Sequence, residues 1–126
     1  MLGLLSFALL FFTISVVLGR IVKVKEADFD ILCGAASIYL LLGVAWAVSF
    51  QVIEALIPGS FALGGEVSML QWTQFLYFSL ITLTTLGYGD IAPVGPVASM
   101  WAALEAVTGV LYSALLIARL VSLYRS

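Results

Sequence analysis

The sequence predicts an all-α membrane protein with three transmembrane helices, a shorter helix that enters the membrane without crossing it, and an extended segment after that helix. Composition is the first observation: of the 126 residues, 63% are hydrophobic and 10% are charged, and the mean hydropathy is +1.21. A soluble domain is about one quarter charged, so lipid is the expected solvent. Three long apolar segments, and the stretch TTLGYGD after a fourth and shorter one, are the other observations.

Three segments are long enough to cross a bilayer, for which about 20 apolar residues are needed. Residues 1–19 carry no charge, residues 31–57 contain one acid, and residues 97–124 contain one acid and one arginine. A cleaved signal peptide is the alternative for residues 1–19. The basic residues follow this apolar run rather than precede it, so a retained additional span is expected.

The basic residues predict the orientation of these spans. They lie in the connector 20–30 or toward the C-terminus: Arg20, Lys23, Lys25, Arg119 and Arg125. Region 51–96 has no basic residue and is expected to be external, and the acids of its first part (51–69), Glu54 and Glu66, are expected to be solvated on the outer face. By the positive-inside rule, the N-terminus is outside, and the connector and the C-terminus are cytoplasmic.

A shorter apolar segment lies between the second and third spans. PGSFALGGE (58–66) has the turn residues of an exposed loop. The segment 71–83 that follows contains no glycine or proline, and as a helix it would rise only about 20 Å. It therefore predicts a re-entrant helix that stops inside the membrane and leads directly into TTLGYGD.

The glycines of TTLGYGD are suited to a backbone whose carbonyl groups coordinate a cation. Irregular backbone at membrane depth is tolerated only where protein buries it or where it lines a watery cavity. Carbonyl groups turn toward one axis when successive residues alternate between right- and left-handed dihedrals, and Gly87 and Gly89 adopt left-handed values without steric cost. Leu86 and Tyr88 are then expected to direct their side chains into surrounding protein. The Thr85 hydroxyl adds a further oxygen at the inner end.

The order of these elements resembles the pore domain of the tetrameric potassium channels, which carry a T-V-G-Y-G-type filter. In that comparison the chain has an outer helix (31–57), a pore helix (71–83), a filter (84–89) and an inner helix (97–124). The resemblance covers roughly residues 31–124, which places the pore domain at 31–126 and leaves residues 1–19 as an addition. It implies a homotetramer in a cell membrane, with the prokaryotic plasma membrane favoured, that passes K⁺ passively and excludes Na⁺. It implies no cofactor beyond the permeant ions.

The resemblance also assigns residues to the filter. The K⁺-coordinating oxygens would come from Thr85, Leu86, Gly87, Tyr88 and Gly89, with bound K⁺ at the first four. Support for the filter would come from Thr84, Asp90, Thr82 and Glu105, with Asp90 at the outer mouth. Leu86 departs from the commoner valine. Ile81 stands where some members carry a glutamate that pairs with the aspartate after the filter, which leaves Tyr77 or Trp72 to hold Asp90.

The inner helix carries the remaining candidates. Gly109 matches the hinge glycine of the family, and close helix packing is the alternative. Four residues recur at helical spacing and match the cavity and gate face, with a lipid-facing stripe as the alternative: Val110, Ser113, Ile117 and Val121. Glu105 lies off that face, so we expect it behind the filter, where Ser79 or Thr82 donates to it; direct ion binding is the alternative.

Other function classes fit the sequence less well. With no histidine and one cysteine, Cys33, the usual catalytic triads, zinc sites and intrachain disulfides are excluded, so an enzyme is not expected. Five basic residues make no nucleic-acid surface. The intact G-Y-G argues against a non-selective channel. A transporter core with four filter-like segments in one chain does not fit a sequence with a single filter. A non-conducting anchor or regulatory subunit would not need the irregular stretch. The sequence does not distinguish three possible sources of gating: a regulatory domain or subunit, the filter, and the membrane.

Overall fold

The computed structural model describes residues 29–125 and six earlier residues that are helical and exposed: Ala8, Phe12, Ser15, Val16, Gly19 and Lys23. The predicted N-terminal span (1–19) and cytoplasmic connector (20–30) lie almost wholly outside these residues and stay predictions. Among the described residues, two helices are long and apolar enough to cross a membrane.

These two helices are α1 (Phe29–Leu56) and α3 (Pro96–Arg125), with 28 and 30 residues. At 1.5 Å per residue they extend about 42 and 45 Å, which is enough to cross the hydrocarbon core at a tilt. Helix α1 ends just before Pro58, because a proline disfavours helical dihedrals in the residue before it. Helix α3 begins with Pro96, whose missing N–H is not needed in the first turn. Both helices agree with the predicted bounds within two residues.

Helix α2 (Trp72–Leu83) has 12 residues and packs against both α1 and α3. It begins after Gln71, whose backbone N–H donates to the Gln74 side chain at 2.8 Å and so finds a partner before the first turn. About 18 Å of helix cannot cross a bilayer. The predicted short helix at 71–83 is therefore present.

The segment 58–66, predicted as an exposed loop, is partly buried and contributes strands to a small sheet, whereas the described fold is mostly helical, as predicted. The chain forms a small antiparallel sheet in the order β2-β1-β3 from β1 (Phe61–Leu63), β2 (Glu66–Val67) and β3 (Ile91–Pro93). Leu63 lies opposite Glu66 on one side and Ile91 on the other. The pair Gly64-Gly65, with φ of 61° and 90°, makes the two-residue hairpin turn, a signal that the sequence carried.

Aromatic side chains join the sheet to the helices. Phe50 of α1, Phe61 of β1 and Phe75 and Phe78 of α2 are buried, and their rings meet edge to face at centroid distances of 5.0–5.7 Å. Such pairs contribute about 0.5–1.5 kcal/mol beyond their burial. This cluster fixes α2 between the outer helix and the sheet.

Glu54 corrects another expectation, because it is buried rather than solvated. Its side chain is 8% exposed, and its two oxygens accept the backbone N–H groups of Gly59 and Ser60, each at 2.9 Å. The chain turns sharply after α1, so these N–H groups need an acceptor that regular structure does not supply. Glu66 is exposed, as expected.

Candidate ion-coordinating site

The segment predicted as a filter starts where α2 stops. Thr84 is the last residue with helical dihedrals, and its N–H donates to the Leu80 carbonyl at 3.1 Å. The N–H of Thr85 then reaches Thr82 O at 3.0 Å, and the N–H of Gly87 reaches back to Ile81 O at 3.0 Å. These bonds fold the start of the segment against the end of the helix. From Leu86 to Tyr88 the backbone has no regular structure.

The backbone of this segment alternates in the way that its glycines predict. Left-handed φ values occur at Thr85 (61°), Gly87 (51°) and Gly89 (82°), and not at Leu86 or Tyr88 between them. Thr85 takes this conformation although its Cβ costs about 1–2 kcal/mol there. Strain of this kind persists only where the surroundings hold the backbone, and it concentrates at functional sites.

The segment is open on the surface of the described subunit. Every residue from Thr84 to Asp90 is exposed, with Leu86 and Tyr88 at 55% and 70%. The described residues therefore do not supply the protein expected behind Leu86 and Tyr88. Exposed apolar side chains beside a strained backbone are a surface that another chain can cover.

The outer end of the segment is held by the sheet and by α2. The Asp90 carbonyl accepts the N–H of Gly64 at 2.9 Å. The Tyr77 hydroxyl donates to the Asp90 carboxylate, and this hydrogen bond, together with the nearby negative charge, raises the pKa of Tyr77. Of the two residues expected to hold Asp90, Tyr77 is the one with this interaction.

The inner end is held by α1 and α3. The Leu83 carbonyl, the last of α2, accepts the Tyr39 hydroxyl at 3.1 Å. Gly109 lies so close that a Cβ there would be 1.9 Å from this same oxygen. This close approach is what the packing role of Gly109 requires. Helix α3 is continuous through Gly109, so the helix has no break at the position expected for a hinge. Sequence reasoning missed Tyr39, although a tyrosine within a span needs a partner for its hydroxyl.

Glu105 of α3 lies against α2. It is fully buried, and its Oε1 lies 2.5 Å from Ser79 Oγ. Thr82, the other expected donor, bonds to Phe78 O of its own helix at 2.7 Å. Thr84 does the same with Leu80 O at 2.7 Å.

The four residues predicted to line the pore share one side of α3. Val110, Ile117 and Val121 are exposed, and Ser113 is half-buried with its hydroxyl on Gly109 O at 3.0 Å. Exposure in one subunit suits a water-filled cavity and a lipid-facing stripe equally. The lining role stays a prediction.

A family model described as "Ion channel" matches residues 31–126, which is most of the chain. The chain belongs to this ion channel family. The channel is also 35% identical over 78 residues to the inward rectifier potassium channel Kirbac3.1 of Paramagnetospirillum magnetotacticum, across 59% of this chain and 23% of that relative. It therefore spans about a quarter of the relative's length. Membership in a family of channels confirms the expectation that the protein is not an enzyme.

Proposed function

We propose that the channel passes potassium ions selectively and passively through a filter of backbone carbonyls at residues 85–89. The observation that carries this proposal is the left-handed φ at Thr85, Gly87 and Gly89, in alternation with the residues between them. Similarity to an inward rectifier potassium channel supports K⁺ as the ion. In this account, K⁺ binds at Thr85, Leu86, Gly87 and Tyr88.

Carbonyl oxygens suit this task because they replace the water around a cation without adding net charge. The Thr85 hydroxyl would add a further oxygen at the inner end. Helix α2 ends directly before the filter, so the negative end of its dipole lies where a cation waits to enter. Asp90 would add a negative charge at the outer mouth.

The pore requires four copies of the chain. One segment offers carbonyls from one side only, whereas a dehydrated cation needs oxygens all around it. In a homotetramer, neighbouring subunits would cover Leu86 and Tyr88, which are exposed in the single subunit. The tetramer would lie in a prokaryotic plasma membrane with the N-terminus outside and the C-terminus in the cytoplasm, as the basic residues favour.

Reconstituted vesicles test the proposal directly. We expect purified channel to carry K⁺ down its gradient and to exclude Na⁺. Gly87→Ala should lose this selectivity, because a Cβ opposes the left-handed backbone at φ 51°. Gly65→Ala is the matched control: its φ of 90° is also left-handed, and no atom lies within 4 Å of the new Cβ, but it sits in the hairpin turn outside the filter.

The outcomes separate the competing functions. Selective flux in Gly65→Ala and its loss in Gly87→Ala would support the filter. Equal K⁺ and Na⁺ flux in the unmodified channel would indicate a non-selective channel, and no flux would indicate an anchor. Native mass measurement in detergent should give four chains per particle, and any other number would contradict the assembly.

A further inference from the structure

Three buried oxygens link the three helices behind the filter. Ser79 Oγ of α2 lies 2.7 Å from the Gly43 carbonyl of α1 and 2.5 Å from Glu105 Oε1 of α3. Ser79 and Glu105 are both fully buried. Gly43 allows the approach, since a Cβ there would lie 2.7 Å from the Leu80 side chain. The chain of contacts therefore joins α1, α2 and α3 through a single side chain of α2.

Two hydrogens are needed to hold these three oxygens together, and Ser79 supplies only one. Oxygens at such distances have a hydrogen between them. The Gly43 carbonyl has none to give, so the Ser79 hydroxyl donates to it. The hydrogen between Ser79 and Glu105 must then come from the carboxyl group, which donates only when it is protonated.

The surroundings of the carboxyl group offer no positive charge to balance an ionised form. Ser79 is its only polar partner among the described residues, and Glu105 Oε2 is buried there without a hydrogen bond. The titratable groups nearest along the packed helices are all phenols: Tyr39 on α1, Tyr77 on α2 and Tyr112 on α3. The Tyr39 and Tyr112 hydroxyls are engaged with the Leu83 and Ala35 carbonyls. A buried charge without such a partner is costly.

We propose that Glu105 is a proton-binding site of the channel, neutral when the channel conducts, and that release of its proton at alkaline pH loosens α2 and lowers conduction. The conduction part of this proposal rests on the proposed function, whereas proton binding does not. Neither the family match nor the similarity to the relative assigns such a site.

The step has a defined proton balance. The carboxyl proton leaves to water, and the Ser79 hydrogen turns from the Gly43 carbonyl to the new carboxylate. The hydrogen bond from Ser79 of α2 to Gly43 of α1 is lost, and the negative charge of Glu105 remains buried between α2 and α3. A group that holds a proton when folded and releases it when unfolded stabilises the fold at low pH and ceases to do so as the pH rises. Because α2 ends in the filter, its loosening reaches the ion path.

Infrared spectroscopy of the purified channel tests proton binding without any need for conduction. The carbonyl band of a neutral carboxylic acid should be present at neutral pH and absent from Glu105→Gln. Glutamine is a suitable replacement because its amide N–H can donate to Ser79 in place of the carboxyl proton. A wild-type spectrum with no band that this substitution removes would overturn the proposal.

Flux measurements then test the regulatory part. Between about pH 6 and pH 9, below the ionisation of ordinary phenols at about 10, wild-type K⁺ flux should fall while Glu105→Gln flux stays constant. The exposed Glu66→Gln is the matched control and should keep the wild-type profile. An identical fall in Glu105→Gln, or no fall in wild type, would overturn this part. Absence of K⁺ flux at every pH would instead refute the proposed function, and the infrared result would stand by itself.

Discussion

Gly109→Ala places one methyl group where the structure leaves no room. The new Cβ would lie 1.9 Å from the Leu83 carbonyl oxygen and 2.9 Å from its carbon. Since Cβ atoms do not approach closer than about 3.0 Å, the end of α2 must retreat by about 1 Å. Overpacking costs about 1–3 kcal/mol, and this site lies at or above the upper end because the neighbour is backbone. The gain of about 1 kcal/mol from alanine's helix propensity offsets only part of that cost.

Two measurements separate packing from a hinge role at Gly109. Thermal unfolding in detergent should show Gly109→Ala to be less stable by about 2 kcal/mol or more. Gly34→Ala in α1 is the matched control, because no atom lies within 4 Å of its new Cβ, and it should be neutral or slightly stabilising. Unchanged stability together with a lower open probability in Gly109→Ala would refute the packing argument and favour the hinge.

Two further substitutions test the supports at the outer side. Glu54→Gln should cost about 1–3 kcal/mol in chemical unfolding, because glutamine offers one acceptor to two backbone N–H groups, of which that of Ser60 is buried; equal loss in the exposed Glu66→Gln would contradict this. Ultraviolet titration should find the pKa of Tyr77 above that of an ordinary tyrosine, and Asp90→Asn should lower it. The folded channel holds the Tyr77 hydroxyl proton more tightly than the unfolded chain does. The contact with Asp90 therefore stabilises the fold at pH values below the ordinary tyrosine pKa, and this stabilisation is lost as the pH rises past the raised pKa. A Tyr77 titration that Asp90→Asn leaves unchanged would count against the contact.

The helices and the backbone conformation at Gly87 and Gly89 were predictable because local rules decide them. Span length, the prolines at 58 and 96, and the absence of helix breakers in 71–83 determine where helices begin and end. The left-handed residues at 87 and 89 follow from glycine itself. Thr85 does not, because its left-handed φ is imposed by the end of α2 and by its bond to Thr82 O.

What the sequence did not predict depends on contacts between distant segments. Strand β1 precedes α2 in the sequence and strand β3 follows it, and no local sequence pattern reveals that these two strands pair. Glu54 was expected to be solvated because an acid near the end of a span usually is, whereas the turn after α1 supplies two donors. The partner of Glu105 was narrowed to two hydroxyls, and only packing distinguishes Ser79 from Thr82.

Ion positions in the assembled channel test the central claim most directly. Crystals of the tetramer grown in rubidium, a K⁺ substitute with a usable anomalous signal, should show ions in line along the pore axis beside the carbonyl groups of residues 85–88. Excess sodium should leave these peaks in place, because the carbonyl cage replaces the hydration shell of the larger ion. Peaks that lie elsewhere in the channel, or that sodium removes as readily as potassium does, would contradict a potassium-selective filter at Thr85–Gly89.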